Sequence, residues 1–221
     1  MKNEQQMHSK TGYRDMEIKE MIYLQEDFLE DFGFELDPSL LHYTKSFSEG
    51  KQILFFHHIQ NPDANYLEIQ LGIRFDRVEE IINQFLPSLG NFRDKSVTHV
   101  IPINQIDRNM PKRFYLQNDF EVNDILKRIE AFLVKDGFHW LDKYTVPENM
   151  EFLFNKNPDQ ELTTQNFTYR SARAITLCKL YNEAEYEVTK RAYLDKLKEM
   201  MVTPFTLASF LNLLNHLENL D

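Results

Sequence analysis

The stretch QILFFHHIQNPDANYLEIQLGIRF, residues 52–75, contains two apolar runs separated by turn-forming residues around Pro62. In the second run every other residue is apolar, a period of two that is typical of a strand with one buried face: Leu67, Ile69, Leu71, Ile73 and Phe75. The first run is apolar at both parities, which is typical of a strand in the middle of a sheet. The stretch therefore predicts a β-hairpin at the centre of an antiparallel sheet.

The residues just before this hairpin extend the sheet by one strand. LLHYTKSF, residues 40–47, alternates with the same period and leads into the hairpin through Glu49-Gly50-Lys51. The second connection is assigned to residues 61–65. Keeping the apolar faces together predicts a register that pairs Tyr43 with His57 and Ile59 with Leu67.

Helices are predicted on both sides of this meander. An amphipathic helix begins near Asp15 and ends at Gly33, and another begins at Asp76, where Glu79 has capping-box spacing. Two short edge strands are expected near 97–101 and 113–117, followed by a helix that ends at Gly137. Beyond residue 160 only helical patterns remain, the last of them begun by Thr203 and Pro204.

The predicted fold class is α+β. An N-terminal helix and an antiparallel meander of three to five strands, with helices on one face, precede a helical C-terminal portion. The domain organisation that follows is a disordered tail over residues 1–15, a sheet domain over 16–160 and a helical portion over 161–221 packed on it.

Charge and cysteine content restrict the classes of function. The formal net charge is −10 and no cluster of five or six basic residues occurs, so nucleic-acid binding is disfavoured, whereas a protein partner with a basic surface is favoured. The single cysteine, Cys178, fits a reducing compartment. Because no signal peptide or membrane span is recognisable, we expect a cytoplasmic protein that does not enter a membrane.

The predicted register places His42, His58 and Glu68 side by side on the face opposite the apolar one. Two imidazoles and a carboxylate are ligands that suit zinc or non-haem iron, so this row is a candidate metal site. The alternative is an ordinary pair between His58 and Glu68, with His42 beside it, because ligands in one row of a flat sheet diverge. His57 is expected on the core-facing side near Tyr43.

A second candidate is the aromatic cluster in DGFHWLDKY, residues 136–144, which contains Phe138, His139, Trp140 and Tyr144. Such a cluster suits a ligand or partner patch. The alternative, which is favoured, is the seam between two packed layers, because that is the commoner use of dense aromatic residues.

No catalytic residue or cofactor is predicted. Cys178 lies in the middle of a helix, away from any helix N-terminus that would lower its pKa. The chain has no GxSxG, P-loop or GxGxxG motif, and its six glycines are well separated.

The order of features resembles that of a group of uncharacterised bacterial proteins, a domain of unknown function often found in gut Bacteroidetes. The resemblance is carried by DFGFEL at residues 31–36, the two central strands, and ARAITLCKLYNEAEYE at residues 172–187. It implies a sheet domain followed by helices, and some similar small acidic proteins serve as immunity factors for polymorphic toxins. It implies no site residues.

The expected function is that of a non-catalytic binding or regulatory protein, of immunity type or an adaptor, whose acidic surface meets its partner. One alternative is a metal-dependent enzyme or metal binder that uses His42, His58 and Glu68. The other alternative is a small-ligand module around Trp140.

Overall fold

The computed structural model describes Tyr23 and residues 25–61, 64–86, 95–116, 119–158 and 166–220. Within them one antiparallel sheet has six strands: β1 (Glu35–Asp37), β2 (His42–Phe47), β3 (Gly50–Asn61), β4 (Ala64–Phe75), β5 (His99–Pro102) and β6 (Phe114–Leu116). The first five strands lie in chain order, and β6 pairs with the same edge of β4 as β5 does. The predicted meander and both predicted edge strands are confirmed. The predicted tail, residues 1–15, lies outside the described residues.

The helices are α1 (Glu26–Asp31), α2 (Asp76–Phe85), α3 (Asp119–Phe132), α4 (Phe138–Tyr144), α5 (Pro147–Asn155), α6 (Phe167–Tyr181), α7 (Tyr186–Glu199) and α8 (Pro204–Glu218). A π-helical turn, Leu133–Gly137, joins α3 to α4. Sheet and helices together confirm the predicted α+β class with a helical C-terminal part.

One face of the sheet carries the hydrophobic core. Its side chains on β2, β3 and β4 are almost fully removed from solvent: Tyr43, Leu54, Phe56, Leu67, Ile69, Leu71, Ile73 and Phe75. Burying one large apolar side chain contributes about 1.5–3 kcal/mol, so this face supplies much of the driving force for folding. Helix α2 packs on it, α6 packs on α2, and α4 contacts it where Gln52 donates to Asp142.

The strand register differs from the predicted one. Tyr43 pairs with Leu54 rather than His57, and Ile59 pairs with Tyr66 rather than Leu67. Both hairpin connections contain two residues, 48–49 and 62–63, where the sequence predicted three and five. Because β3 is apolar on both faces, its pattern is compatible with either register, and the short connections decide between them.

Gly33 and Gly137 were both predicted to end a helix, but only Gly33 does so. Gly33 ends α1 as predicted, because its φ of 80° lies in the left-handed region and its N–H donates to Glu30. Gly137 does not end a helix, since its φ of −64° is helical and the chain continues into α4. A Cβ at Gly137 would lie 2.9 Å from Leu133, so this glycine permits close packing. Thr203 caps α8 as predicted by accepting from Thr206 N–H.

No helix in the described part of the chain has both the length and the apolar character needed to cross a bilayer.

Candidate functional site

The three residues predicted to form a metal row are not neighbours. His42 pairs with Phe55, His58 pairs with Leu67, and Glu68 lies opposite His57. The predicted row is therefore wrong, and the reason is the register: a shift of one residue between β3 and β4 moves His58 to the core side of the sheet. Among the described residues, no group of three or more His, Cys, Asp or Glu side chains is arranged to hold a metal ion.

His57 occupies the face on which His58 was expected. Its side chain is exposed, its ring stacks on Phe55 with 5.6 Å between centroids, and Glu68 faces it across the strand pair. The predicted core position of His57 is therefore wrong. Although the side chain reaches solvent, the atoms packed around it desolvate the ring and lower the pKa of His57, while Glu68 and Gln70 act in the opposite direction.

This second face of the sheet is open to solvent over β3 and β4, and we call it the open face. His57 is exposed there, and Phe55, Tyr66, Glu68 and Gln70 are partly exposed. The same side of the sheet continues onto β2, where His42 is buried and its ring lies edge-on to Phe55 with 5.3 Å between centroids. The structure therefore brings together two of the three predicted ligand residues, His42 and Glu68, on one face, with His57 in place of His58.

A polar cleft of about 480 Å³ opens at the border of this face, where β5 ends and β6 begins. We call it the sheet-face cleft, and its lining comes from β4 and from the connection between β5 and β6: Glu68, Gln70, Pro102, Asn104, Gln105, Lys112 and Arg113. Arg113 Nε donates to Glu68 Oε1 at 2.5 Å. The guanidinium carbon also lies 5.7 Å from the ring centroid of Tyr66. No local sequence pattern indicates this cleft, because its two walls are 32 or more residues apart along the chain.

The predicted aromatic patch is largely part of the packing. Phe138, Trp140 and Tyr144 are partly buried against the core, whereas His139 is exposed. Trp140 lies between Tyr144 and His99, with ring centroids 4.8 and 5.9 Å away. Trp140 does not line the sheet-face cleft, nor a smaller cleft of about 350 Å³ beside α3. These contacts favour the interpretation that the aromatic residues fill a seam between packed layers.

Glu79 forms the most deeply buried charged cluster in the described residues, with Arg173 of α6. The Arg173 guanidinium donates to both carboxylate oxygens, Nε to Oε1 at 2.8 Å and Nη2 to Oε2 at 2.9 Å. Thr98 also donates to Oε1, and accepts from the Phe75 N–H. Burial alone raises the pKa of Glu79, but Arg173 and the hydrogen bonds outweigh it and hold the pKa below the ordinary value. Glu79 is thus not the capping-box residue that its spacing predicted.

His99 lies beside this cluster and is 4% exposed. It packs against Trp140 and Phe154, and its Nδ1 has no hydrogen-bond partner within the described part of the chain. Burial, with a smaller contribution from Arg173, lowers the pKa of His99 to about 4. The imidazole is therefore neutral in the folded protein at neutral pH.

We expect the fold to lose stability between pH 6.5 and pH 4 because of His99. A histidine whose pKa is lower in the folded state binds its proton only on unfolding, so its full contribution is present above the unfolded pKa of 6.5 and declines toward pH 4. His99 thereby contributes about 3 kcal/mol to the pH-dependent part of the free energy of unfolding. Denaturant unfolding of wild type and His99→Phe at pH 7 and pH 4.5 measures it.

His99→Phe should lose less stability than wild type between pH 7 and pH 4.5. His139→Gln is the matched control, because His139 is exposed and should leave the pH dependence unchanged. An identical pH dependence in wild type and His99→Phe would contradict the assignment.

A band of carboxylates lies at the opposite border of the sheet from the cleft. We call it the acidic edge, and it consists of residues of α1 and β1: Glu26, Asp27, Glu30, Asp31 and Glu35. No lysine or arginine occurs between Lys19 and Lys45. Phe32, which is 37% exposed, lies among these carboxylates and stacks on Phe138 with 4.4 Å between centroids.

The fold and these surfaces define an α+β protein with an open, polar sheet face and an acidic edge. No family model matches the chain, and neither a curated protein nor a solved structure matches it significantly.

Proposed function

We propose that this chain is a non-catalytic binding protein, of regulatory, adaptor or immunity type, and that its acidic edge binds a partner protein with a basic surface. The observation that carries the proposal is the concentration of exposed carboxylates at one border of the sheet. Asp27, Glu30, Asp31 and Glu35 are exposed, and none of them forms an ion pair with another described residue. Their repulsion is relieved when a basic surface approaches.

An aromatic anchor supports the same surface. Phe32 is partly exposed and rests on Phe138, while Phe28 lies 5.1 Å from it between centroids. A supported aromatic ring within a charged rim is the arrangement that protein interfaces use for their strongest contacts. The acidic edge thus offers both long-range attraction and a short-range anchor.

The chemistry of the buried groups favours binding over catalysis. Glu79 and Arg173 neutralise each other, and burial raises the pKa of the Cys178 thiol to about 11. A thiol with that pKa is a poor nucleophile at neutral pH. A free buried cysteine also suits a reducing compartment such as the cytoplasm.

Neutralising the acidic edge should weaken binding of the partner by about tenfold or more. The variant is Glu30→Gln with Asp31→Gln, and the matched control is Glu187→Gln with Glu199→Gln, which removes the same charge from exposed positions on α7. Wild-type protein captures the partner from extract of the native host at low salt. The purified partner is then titrated against all three proteins at two salt concentrations.

The proposal requires that wild type and control bind alike, that the edge variant binds weakly, and that added salt weakens binding. Equal affinity of the edge variant and wild type would place the interface elsewhere. Capture of no protein, together with turnover of a small molecule, would overturn the binding role itself.

A further inference from the structure

We infer that the sheet-face cleft binds a small molecule through an anionic group, a carboxylate or a phosphoryl group, with Arg113 as the principal contact. This site lies at the border of the sheet formed by β5 and β6, whereas the acidic edge lies at β1. The inference is therefore independent of the proposed protein partner.

The geometry of Arg113 leaves hydrogen-bonding capacity for a ligand. Its side chain is 48% exposed, and it donates to Glu68 through Nε. Within the described part of the chain this guanidinium binds no other acceptor, so the N–H groups of Nη1 and Nη2 are available to a ligand. Two parallel donors on a planar guanidinium match the two oxygens of a carboxylate or phosphoryl group.

Local charge favours an anion at this border despite the net charge of the chain. The segment 103–116 carries three basic residues, Arg108, Lys112 and Arg113, and one acidic residue, Asp107. Lys112 and Arg113 both line the cleft. Arg113 also lines the smaller cleft of about 350 Å³ beside α3, together with Arg128 and Asp124.

Amide side chains supply the remaining contacts. Gln70, Asn104 and Gln105 line the cleft beside the cations. Oδ1 of Asn104 is buried and has no hydrogen-bond partner among the described residues. A ligand that carries a hydroxyl or amide group next to its anionic group fits these amides, since they both donate and accept.

Glu68 acts against the anion and limits its affinity. It lines the cleft, and its carboxylate already binds the guanidinium that the ligand needs. Glu68→Gln keeps the size of the side chain and removes the competing charge. It should therefore tighten binding, which a merely structural ion pair would not do.

The test is a titration of ¹⁵N-labelled full-length protein with sodium phosphate and, separately, with sodium citrate, each at ionic strength held constant with chloride. The resonances followed are Arg113 Nε–H and the side-chain amides of Gln70 and Gln105. Saturable shifts are expected with at least one anion, and the anion that saturates assigns the phosphoryl or the carboxylate class.

Arg113→Gln should raise the dissociation constant about tenfold or more. Arg108→Gln, which removes the same charge from an exposed position outside the cleft, should change it less than about twofold. Glu68→Gln should lower it severalfold and keeps the test decisive if Arg113→Gln folds poorly. Shifts that stay linear with both anions, or equal weakening by Arg113→Gln and Arg108→Gln, would overturn the inference.

Discussion

Replacing Arg173 with leucine should destabilise the protein by about 3–5 kcal/mol at pH 7. Glu79 has no exposed surface, and Arg173 supplies the two charge-assisted hydrogen bonds that compensate its desolvation. Without the guanidinium, the carboxylate stays buried, and the hydroxyl groups of Thr98 and Ser96 are too weak to compensate its charge. The measurement is guanidinium chloride unfolding of the variant and wild type.

Two further variants separate loss of the ion pair from loss of packing. Arg191→Leu changes an exposed arginine on α7 and should cost less than about 0.5 kcal/mol. Glu79→Gln combined with Arg173→Leu should recover part of the loss, because the buried group is then neutral. A deficit below about 1 kcal/mol in Arg173→Leu would show that the pair contributes little.

The pH dependence of this deficit has a defined sign. In wild type the pKa of Glu79 is lowered, so its contribution is present above the unfolded pKa of 4.5 and is lost as pH falls through the folded pKa. In Arg173→Leu burial raises the pKa instead, and the carboxyl takes up a proton on folding. The difference in stability between the two proteins should therefore shrink as the pH is lowered toward 4.

Gly50→Ala should cost about 2–4 kcal/mol, the second-largest effect that we expect. A Cβ at Gly50 would lie 1.8 Å from the Arg74 carbonyl oxygen and 3.2 Å from Phe75 Cα. Both are backbone atoms of the neighbouring strand, so the clash is relieved only by separating β3 from β4. The same movement strains the hydrogen bond from Asp76 N–H to the Glu49 carbonyl at the start of α2.

Gly72→Ala is the matched control, because it introduces the same methyl group into β4. Its nearest contacts are the ends of side chains, Phe55 Cε2 at 2.9 Å and Val97 Cγ1 at 3.2 Å, which can rotate away. It should cost about 1 kcal/mol, partly offset by the reduced entropy of the unfolded chain. Thermal unfolding of both variants shows which of them loses more stability. Equal losses of stability in the two variants would mean that the close approach of the Arg74 backbone is not the reason why position 50 requires glycine.

The sequence was a good guide to the elements and a poor guide to their contacts. Alternation in residues 66–75 identified β4 and its buried face correctly, and the same pattern found β2. Gly33 and Thr203 act within one turn of their own helix, so their roles were predictable. Gly50 was assigned to a turn, whereas the structure requires it for the approach of another strand.

Long-range pairs explain what the sequence missed at the candidate sites. Arg173 follows Glu79 by 94 residues, and Arg113 follows Glu68 by 45. One local signal was present for the first pair: Glu79 lies within the apolar stripe of α2, next to Val78 and near Ile82, where a solvated carboxylate is out of place. The partner itself could not be inferred, because both α6 and α7 carry several lysines and arginines.

Taken alone, the sequence determined the α+β class, the order of strands and the buried face of β4, because periodicity and capping depend on residues a few positions apart. The tertiary structure alone decided the register of β3, and with it which histidine meets Glu68. The physical reason is that β3 is apolar on both faces, so its burial is nearly the same in either register. The choice then depends on two-residue connections and on contacts with distant strands.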